Sequence, residues 1–239
     1  MKFDNELKTF VLKAVKMANK LGISNLILDN ICLRGATDTG VMIIDPTIPT
    51  LPFNDLGIPR VDVLASRLAL MDEDDLDISY VTKERDGGEE YVYRLVLISG
   101  TTRVEFRCGN ATKFGRIPKK IKNEIFYEIT IPKESIELMN RATRGFKSET
   151  IRLVGSKNGL IAQCSDIEGD EFKHVVTDEI FFTPACDERK FKFSYNMRDV
   201  VSNLKRGLDQ NDSLEVNISK MGFLVFPIDG IQIWIAPER

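Results

Sequence analysis

The sequence predicts an α+β protein made of two similar halves, each with two helices packed on a mainly antiparallel sheet. The first observation is a repeat: residues 60 to 79 read RVDVLASRLALMDEDDLDIS, and residues 198 to 219 read RDVVSNLKRGLDQNDSLEVNIS. Both stretches begin as an amphipathic helix, break at an Asp-rich turn and restart as an alternating strand. The second observation is that predicted strands outnumber helices and are joined by short turns, which favours antiparallel sheets.

The repeat divides the chain into two halves joined by a linker. Matched positions lie 136 to 138 residues apart: Leu68 with Leu204, Asp72 with Asp209, Leu76 with Leu214, and Ile78 with Val216. A chain of 239 residues is long enough for two domains of about 120 residues, each with its own core. We therefore predict a first half at 1–108, a linker at 109–124 and a second half at 125–239.

The first half contains these elements in order. A helix over ELKTFVLKAVKMANKLG ends at Gly22, a suitable C-terminal cap. The strands NLILD and ICLRG follow, separated by an Asp29–Asn30 turn, and then the strand GVMII. After the first copy of the repeat come the strands YVYRLVLIS and TRVEFRC.

The second half repeats this order. Its first helix lies in IPKESIELMNRATRGF, with Pro132 expected in the first helical turn. The strands TIRLVG and LIAQCS are joined by the hairpin signal Asn158–Gly159. Further strands are predicted in KHVVTDEIFF, FKFSY, FLVFPI and IQIWIA. The intervening segment GNATKFGRIPKKIKNE is basic and without periodicity, which is typical of an exposed linker.

The composition describes a soluble globular protein of a reducing compartment. The hydrophobic content is 43%, and no apolar run approaches the roughly 18 residues that span a bilayer. No signal-peptide pattern opens the chain. The four cysteines have no pairing by spacing, so we expect free thiols and a cytoplasmic location, in the host cell if the source is viral.

Each of the four helices carries basic residues on the side turned away from its apolar stripe. The residues predicted to face inward, helix by helix, are Leu7, Val11, Ala14 and Ala18; Val61, Leu64, Ala65 and Leu68; Ile136, Met139 and Thr143; and Met197, Val200, Val201 and Leu204. The basic residues predicted to face outward are Lys13, Lys16 and Lys20, joined by Lys2 if the first helix begins that early; Arg60 and Arg67; Arg141 and Arg144, with Lys147 just beyond the helix end; and Arg198 and Lys205.

The charge of the chain is predicted to be segregated. Its net charge is −3, yet four helices agree in placing basic residues outward. The acidic residues collect in turns, at 72–75, 86–90 and 166–171, which we expect to lie away from the helical faces. A surface of this kind is suited to a polyanionic partner.

No active site is predicted, so we expect a protein that is not an enzyme and needs no metal or cofactor. The chain has one histidine, His174, and no group of residues nearby that would form a nucleophilic triad with it. Clustered cysteines and phosphate-binding glycine loops are lacking from the sequence. Four consecutive carboxylates at 72–75 point apart in a turn, unlike metal ligands that converge from separate elements.

The pattern of elements resembles a DNA sliding clamp, of the type found in tailed bacteriophages and in proliferating cell nuclear antigen. The stretch IPKESIELMNRATRGFKSETIRLVGSKNGLIAQCSD resembles the second-half helix and hairpin of phage clamps. The ending WIAPER is similar to the tail of the nuclear antigen, whereas the linker is shorter and more basic than in that protein.

The resemblance implies a duplicated clamp fold and a closed ring that encircles double-stranded DNA. About 12 helices, from three chains, at ~10 Å each would leave a bore of roughly 28 Å. Two chains would leave only about 15 Å, less than the roughly 18 Å of the combined DNA grooves. A homotrimer is therefore expected, loaded by an ATP-dependent clamp loader and serving a DNA polymerase.

The resemblance also implies two further sets of contact residues. A hydrophobic pocket for the polymerase peptide would be formed by Val41, Ile117, Pro118, Ile235, Ala236 and Pro237. Edge strands would join neighbouring subunits, through Arg103, Val104, Glu105, Phe106 and Arg107 of one chain and His174, Val175, Val176, Thr177 and Asp178 of the next.

Three alternatives remain open from the sequence. The first is a monomeric processivity factor of the same fold that binds one side of DNA without encircling it. The second is an enzyme with a carboxylate site that the sequence does not assemble. The third is a protein-interaction scaffold, in which aligned basic helix faces would have no use.

Overall fold

The computed structural model describes residues 1–85, 88–114, 117, 124–156, 158–184, 186, 190–208 and 212–238. The chain divides into two compact units. The first contains Met1–Thr37 and Met42–Lys120, and the second contains Asp38–Val41 and Ile121–Arg239.

Within its described residues, the first unit combines two α-helices with seven strands and a 3₁₀ turn at Ala111–Lys113. The helices are α1 (Asn5–Lys20) and α2 (Val61–Leu68), which pack beside each other. The strands are β1 (Asn25–Asp29), β2 (Leu33–Ala36), β3 (Val41–Asp45), β4 (Asp55–Pro59), β5 (Asp77–Glu84), β6 (Glu90–Ser99) and β7 (Thr102–Arg107). Their order in the sheet is β3-β2-β1-β4-β6-β5, with β7 also paired to β6. All pairings are antiparallel except that of β4 with β6.

The two helices of this unit follow their sequence signals closely. The side chain of Asp4 caps the start of α1 by accepting a hydrogen bond from the backbone N–H of Leu7 at 2.8 Å. The helix ends just before Gly22, whose φ of 74° is the left-handed conformation expected of a helix-terminating glycine. The predicted apolar stripe of α1 is buried, whereas Ala65 of α2, predicted to face inward, is only half-buried.

Strand β4 was not predicted from the sequence, because Asp-Leu-Gly-Ile-Pro reads as a turn. It pairs with β1 over its full length, from Asp55 opposite Asp29 to Pro59 opposite Asn25. Gly57 is required there because the backbone oxygen of Gly109 would lie 2.5 Å from any Cβ at this position. The glycine that suggested a turn therefore marks a close approach of two backbone segments inside the sheet.

In the part of the second unit that the structure describes, two helices are combined with nine strands. The helices are α3 (Lys133–Gly145) and α4 (Met197–Leu208), again packed beside each other. The strands are β8 (Ile125–Pro132), β9 (Thr150–Ser156), β10 (Gly159–Ser165), β11 (Glu171–Thr177), β12 (Phe181–Phe182), β13 (Lys190–Asn196), β14 (Ser213–Ser219), β15 (Leu224–Ile228) and β16 (Ile231–Ile235). They form two antiparallel arrays, β12-β8-β14-β15-β16 and β11-β10-β9-β13.

The helices of this unit lie against both arrays. α3 packs on β8 and β11, and α4 packs on β9, β13, β14 and β15. Two sequence expectations were wrong in detail. Pro132 ends β8 in extended conformation and precedes the helix, instead of lying in its first turn. Ala142, and not the half-buried Thr143, completes the inward stripe of α3 with Ile136 and Met139.

The predicted duplication is confirmed by the order of the elements. In the first unit α2 leads through a polar turn into β5, and in the second α4 is followed by β14. The equivalent residues Leu68 and Leu204 are both buried, as are Ile78 and Val216. The matched Asp209 lies outside the described residues. Within the described part of the chain, no helix is both long and apolar enough to cross a membrane.

Candidate nucleic-acid interface

The basic side of α1 is partly neutralised by acidic groups. Lys13 is exposed and has no carboxylate within ion-pair distance among the described residues. Lys16 pairs with Glu73 at 2.5 Å. Lys2 does not join the helix, which begins only at Asn5; it is bridged to Ser79 of β5 and pairs with Asp77 at 2.7 Å. The hydrogen bond and positive charge of Lys2 lower the pKa of the Asp77 carboxyl. The expectation that the acidic turn at 72–75 lies away from the basic helix face was therefore wrong at Glu73. Lys20 is exposed at the end of α1.

The two arginines of α2 contact strand β7. Both guanidinium groups lie 5.6 Å from the centre of the Phe106 ring, a cation–π distance. Arg67 also donates a hydrogen bond from Nη1 to the backbone oxygen of Glu105 at 3.0 Å. Arg60 is in left-handed conformation, with φ 51° and ψ 59°, immediately before the helix. These residues therefore connect the basic helical side of the first unit to an edge of its sheet.

The basic residues of the second unit are available for an external anion. Arg141, Arg144, Arg198 and Lys205 are exposed, and none forms an ion pair within the described parts of the chain. Lys147 follows α3 and is exposed as well, with a positive φ of 43°.

The two helices of the second unit differ in the charged side chains that they expose. In its first half α3 exposes Glu134 and Glu137 beside Lys133, so the excess of positive charge lies at its C-terminal end. α4 exposes a further arginine, Arg206, which the sequence reasoning missed. Its guanidinium donates to Oδ1 of Asn203 at 2.8 Å. The heptad spacing that selected Arg198 and Lys205 could not reveal Arg206, because consecutive residues lie about 100° apart around a helix.

A second basic cluster lies on the strands of the first unit and was not predicted. The ring of Tyr93 has Lys83 Nζ at 3.8 Å, and the guanidinium carbons of Arg107 and Arg94 at 5.4 and 5.6 Å. The positive charges of Arg107 and Lys83 lower the pKa of the Tyr93 hydroxyl. This cluster comes from three strands, so no single stretch of sequence contains its signal.

The residues predicted to join subunits lie on the edge strands β7 and β11, except Asp178, which follows β11. Within the described residues β7 pairs only with β6, and β11 pairs only with β10. Most of the predicted side chains are exposed or half-buried, but Phe106 and Val176 are buried in their own units. The side chains of these two residues are therefore not accessible to a neighbour.

The single histidine has a structural partner. His174 Nε2 lies 3.0 Å from Ser135 Oγ, which donates its own proton to the backbone oxygen of Val176 at 3.0 Å. Ser135 must then accept from Nε2–H, and burial lowers the pKa of the His174 ring. This arrangement holds β11 against α3 and does not activate the serine as a nucleophile.

The residues predicted for a partner pocket differ in accessibility. Val41 and Ile235 are each 1% exposed, so their side chains belong to the core. Ile117, Ala236 and Pro237 are half-buried, and Pro118 lies outside the described residues. The chain end is fixed within the second unit, because the Ala236 N–H donates to the oxygen of Gly40 and the Glu238 N–H to that of Ser194.

The fold matches those of DNA clamps. PCNA from Thermococcus kodakaraensis has a TM-score of 0.58 at 14% identity, over 100% of this chain and 99% of that one. The DNA polymerase III subunit beta from Pseudomonas aeruginosa has a TM-score of 0.63 at 15% identity, and this chain spans 66% of it. PCNA from A. fulgidus, bound to the C-terminal region of FEN-1, has a TM-score of 0.58 at 13% identity.

The likeness is one of structure. Neither a protein family nor a curated protein sequence matches the chain. The matched structures cover between 96% and 100% of this chain. The chain therefore has the fold of the DNA sliding clamps.

Proposed function

We propose that the protein is a DNA sliding clamp, in which copies of the chain form a closed ring around duplex DNA and tether a replicative DNA polymerase. The observation that carries the proposal is the set of exposed arginine and lysine side chains on α3 and α4, unpaired within the described residues, in a chain of net charge −3 with a clamp fold. Such side chains contact phosphates, which repeat at one charge per about 1.7 Å of duplex whatever the base sequence.

Contacts to phosphates position the protein on DNA without specifying a sequence. The long side chains of Arg141, Arg144, Arg198 and Lys205 can exchange one phosphate for the next, so the ring slides. Lys2 and Lys16 contribute less, because each already has a carboxylate partner that a phosphate must replace. Retention on DNA then depends on closure of the ring, not on affinity.

Three copies suit the diameter of DNA. From the width of a helix, twelve helices leave a central hole of about 28 Å, whereas the eight helices of two copies leave about 15 Å. Neighbouring copies join through β7 of one chain and β11 of the next, since an edge strand presents unpaired backbone groups. Head-to-tail contacts of this kind close into a ring when the rotation per subunit fits.

The polymerase binds as a short peptide beside the C-terminal segment. In the A. fulgidus PCNA structure the bound partner is a C-terminal region, that of FEN-1. On this chain Ala236 and Pro237 are half-buried and offer apolar surface, whereas Val41 and Ile235 are buried. Opening of the ring is assigned to an ATP-dependent clamp loader, because the sequence has no phosphate-binding loop of its own.

The DNA contacts are tested by the salt dependence of duplex binding. The variant Arg141→Ala/Arg198→Ala is compared with Lys192→Ala, which removes an exposed charge from β13 of the same unit. Removing one phosphate contact lowers the slope of log K against log salt by about 0.9. We expect a reduced slope for the helix variant and an unchanged slope for Lys192→Ala. Equal slopes for the wild type and both variants would refute the assignment of the helix faces to DNA.

A further inference from the structure

The backbone of β7 presents three residues to a neighbouring strand. The Cys108 N–H donates to the backbone oxygen of Tyr93 at 2.8 Å. This hydrogen bond determines which residues of β7 direct their backbone groups toward β6. In an antiparallel ladder, backbone groups point alternately toward the partner strand and away from it. Val104 and Phe106 therefore point their backbone groups at β6, and Arg103, Glu105 and Arg107 point theirs outward.

One of these outward oxygens already has a partner within the chain. Arg67 Nη1 donates to the backbone oxygen of Glu105 at 3.0 Å. A carbonyl oxygen has two lone pairs, so this hydrogen bond leaves capacity for a second donor from a neighbouring strand.

The same reasoning applies to β11. The Asp166 N–H donates to the oxygen of Asp170 at 3.1 Å, at the turn that joins β10 and β11. Cys164 opposite Phe172 is the next bonded pair along the ladder, so the backbone groups of Glu171, Lys173 and Val175 point outward. The turn before β11 is closed by Oδ1 of Asp166, which accepts from two backbone N–H groups, those of Glu168 and Asp170.

The residues with outward backbone groups also have exposed side chains. On β7 they read Arg103, Glu105 and Arg107, a positive–negative–positive pattern. On β11 they read Glu171, Lys173 and Val175, a negative–positive–apolar pattern with 56% exposure at the valine. Glu105 is held in place by Arg94 at 2.6 Å and Arg103 at 2.9 Å, whereas Lys173 has no ion-pair partner in the described chain.

We propose that these two triplets are complementary cross-strand partners, with Glu105 of one chain opposite Lys173 of the next. This proposal rests on the sliding-clamp function and assigns the pairing that closes its ring. When the triplets are aligned at their centres, Glu171 falls opposite Arg107 in an antiparallel pairing and opposite Arg103 in a parallel one. Opposite charges meet at two of three positions in either direction, and such pairs stabilise a sheet.

The same pattern opposes pairing of identical edges. Two copies of β7 aligned at their centres in antiparallel orientation place Glu105 against Glu105 and Arg103 against Arg107. Two copies of β11 place Lys173 against Lys173. Like charges directly opposite each other destabilise a sheet, so the charges select head-to-tail assembly over symmetric dimers. Because these side chains are exposed, salt should weaken the contact, with a screening length of about 8 Å at 0.15 M ionic strength.

The proposal is tested by cysteine cross-linking in the full chain. Three variants are oxidised under identical conditions: Glu105→Cys, Lys173→Cys and the double variant with both substitutions. The double variant should form cross-linked species of two and more chains at least tenfold faster than either single variant. Faster or equal cross-linking by Glu105→Cys alone would mean that identical edges meet, and would overturn the proposal.

Charge exchange provides a second measurement. Lys173→Glu should weaken self-association at least tenfold, and Glu105→Lys/Lys173→Glu should return it to within about threefold of the wild type. Lys192→Glu makes the same change of charge on exposed β13 and should leave association unchanged. Thermal unfolding of each variant verifies that the chain is folded. If the wild type stays monomeric, both the ring and this pairing are overturned. If the wild type assembles but the double cysteine variant does not cross-link faster than the single variants, the pairing alone is overturned.

Discussion

A buried ion pair in the first unit gives the sharpest prediction for stability. Arg85, the residue after β5, donates to the carboxylate of Asp55 on β4, and the two side chains are only 13% and 10% exposed. Asp55 lies opposite Asp29 in the sheet, and Asp29 is itself paired with Arg34 at 2.6 Å. The pair therefore ties the β5–β6 hairpin to the centre of the sheet through a region of low solvent access.

We predict that Arg85→Ala lowers the free energy of unfolding by about 3–5 kcal/mol, because it leaves a buried carboxylate without its cation. Lys16→Ala is the matched control. Its ion pair with Glu73 is also close, at 2.5 Å, but both side chains are about half exposed. Exposed pairs of this kind contribute about 0–1 kcal/mol.

The predicted loss depends on pH. Burial raises the pKa of the Asp55 carboxyl above its usual value, although Arg85 opposes this shift. A folded-state pKa above the unfolded one means that the folded chain binds more protons between the two values, so stability falls as pH rises through that window. Removing Arg85 raises the folded-state pKa of Asp55 further, which extends this window to higher pH. The loss caused by Arg85→Ala should therefore be larger at pH 7 than at pH 4.

Urea unfolding followed by far-UV circular dichroism measures these differences. Tryptophan fluorescence is unsuitable, since Trp234 lies in the second unit. The neutral pair Asp55→Asn/Arg85→Leu should recover most of the loss, because neither residue is then a buried unpaired charge. A loss below about 1 kcal/mol for Arg85→Ala, or no recovery in the double variant, would refute the reasoning.

Three further outcomes are expected. Burial raises the pKa of the Cys108 thiol to about 12, so in native protein iodoacetamide should leave it unmodified by mass spectrometry, with reaction only after unfolding. Tyr195→Phe should cost about 1–3 kcal/mol in urea unfolding, because the buried hydroxyl donates to the Gly222 oxygen at 2.6 Å. Lys13→Ala should weaken duplex binding more than Lys16→Ala in fluorescence anisotropy, since only Lys16 is already paired with a carboxylate.

Local patterns in the sequence were sufficient to predict the duplication and most elements. The helices repeat their apolar residues every three to four positions and most strands every two, and both signals lie within a single segment. β4 was not predicted, because its Asp, Gly and Pro residues are typical of turns when the segment is considered alone. Only its pairing with β1 and the approach of Gly109 explain why Gly57 lies in a strand.

The candidate surfaces were predictable only where one element determines them. The exposed positions of Arg141, Arg144 and Arg198 were predicted from the helical wheel and are confirmed, whereas Arg206 was missed. The pairing of Lys16 with Glu73 joins elements that are distant in the sequence, and the contact of Arg67 with β7 depends on tertiary packing. The sequence around each of these residues gives no indication of either contact.

The most direct test of the ring is the mass of the native particle in solution, measured by light scattering over a wide range of protein concentrations. A closed head-to-tail assembly predicts a species of three chains, about three times 27.1 kDa, that persists on dilution and does not grow further on concentration. A chain that stays monomeric at the highest concentration, or one that grows without limit, would contradict the closed ring. A persistent monomer would instead favour a processivity factor that binds one side of DNA.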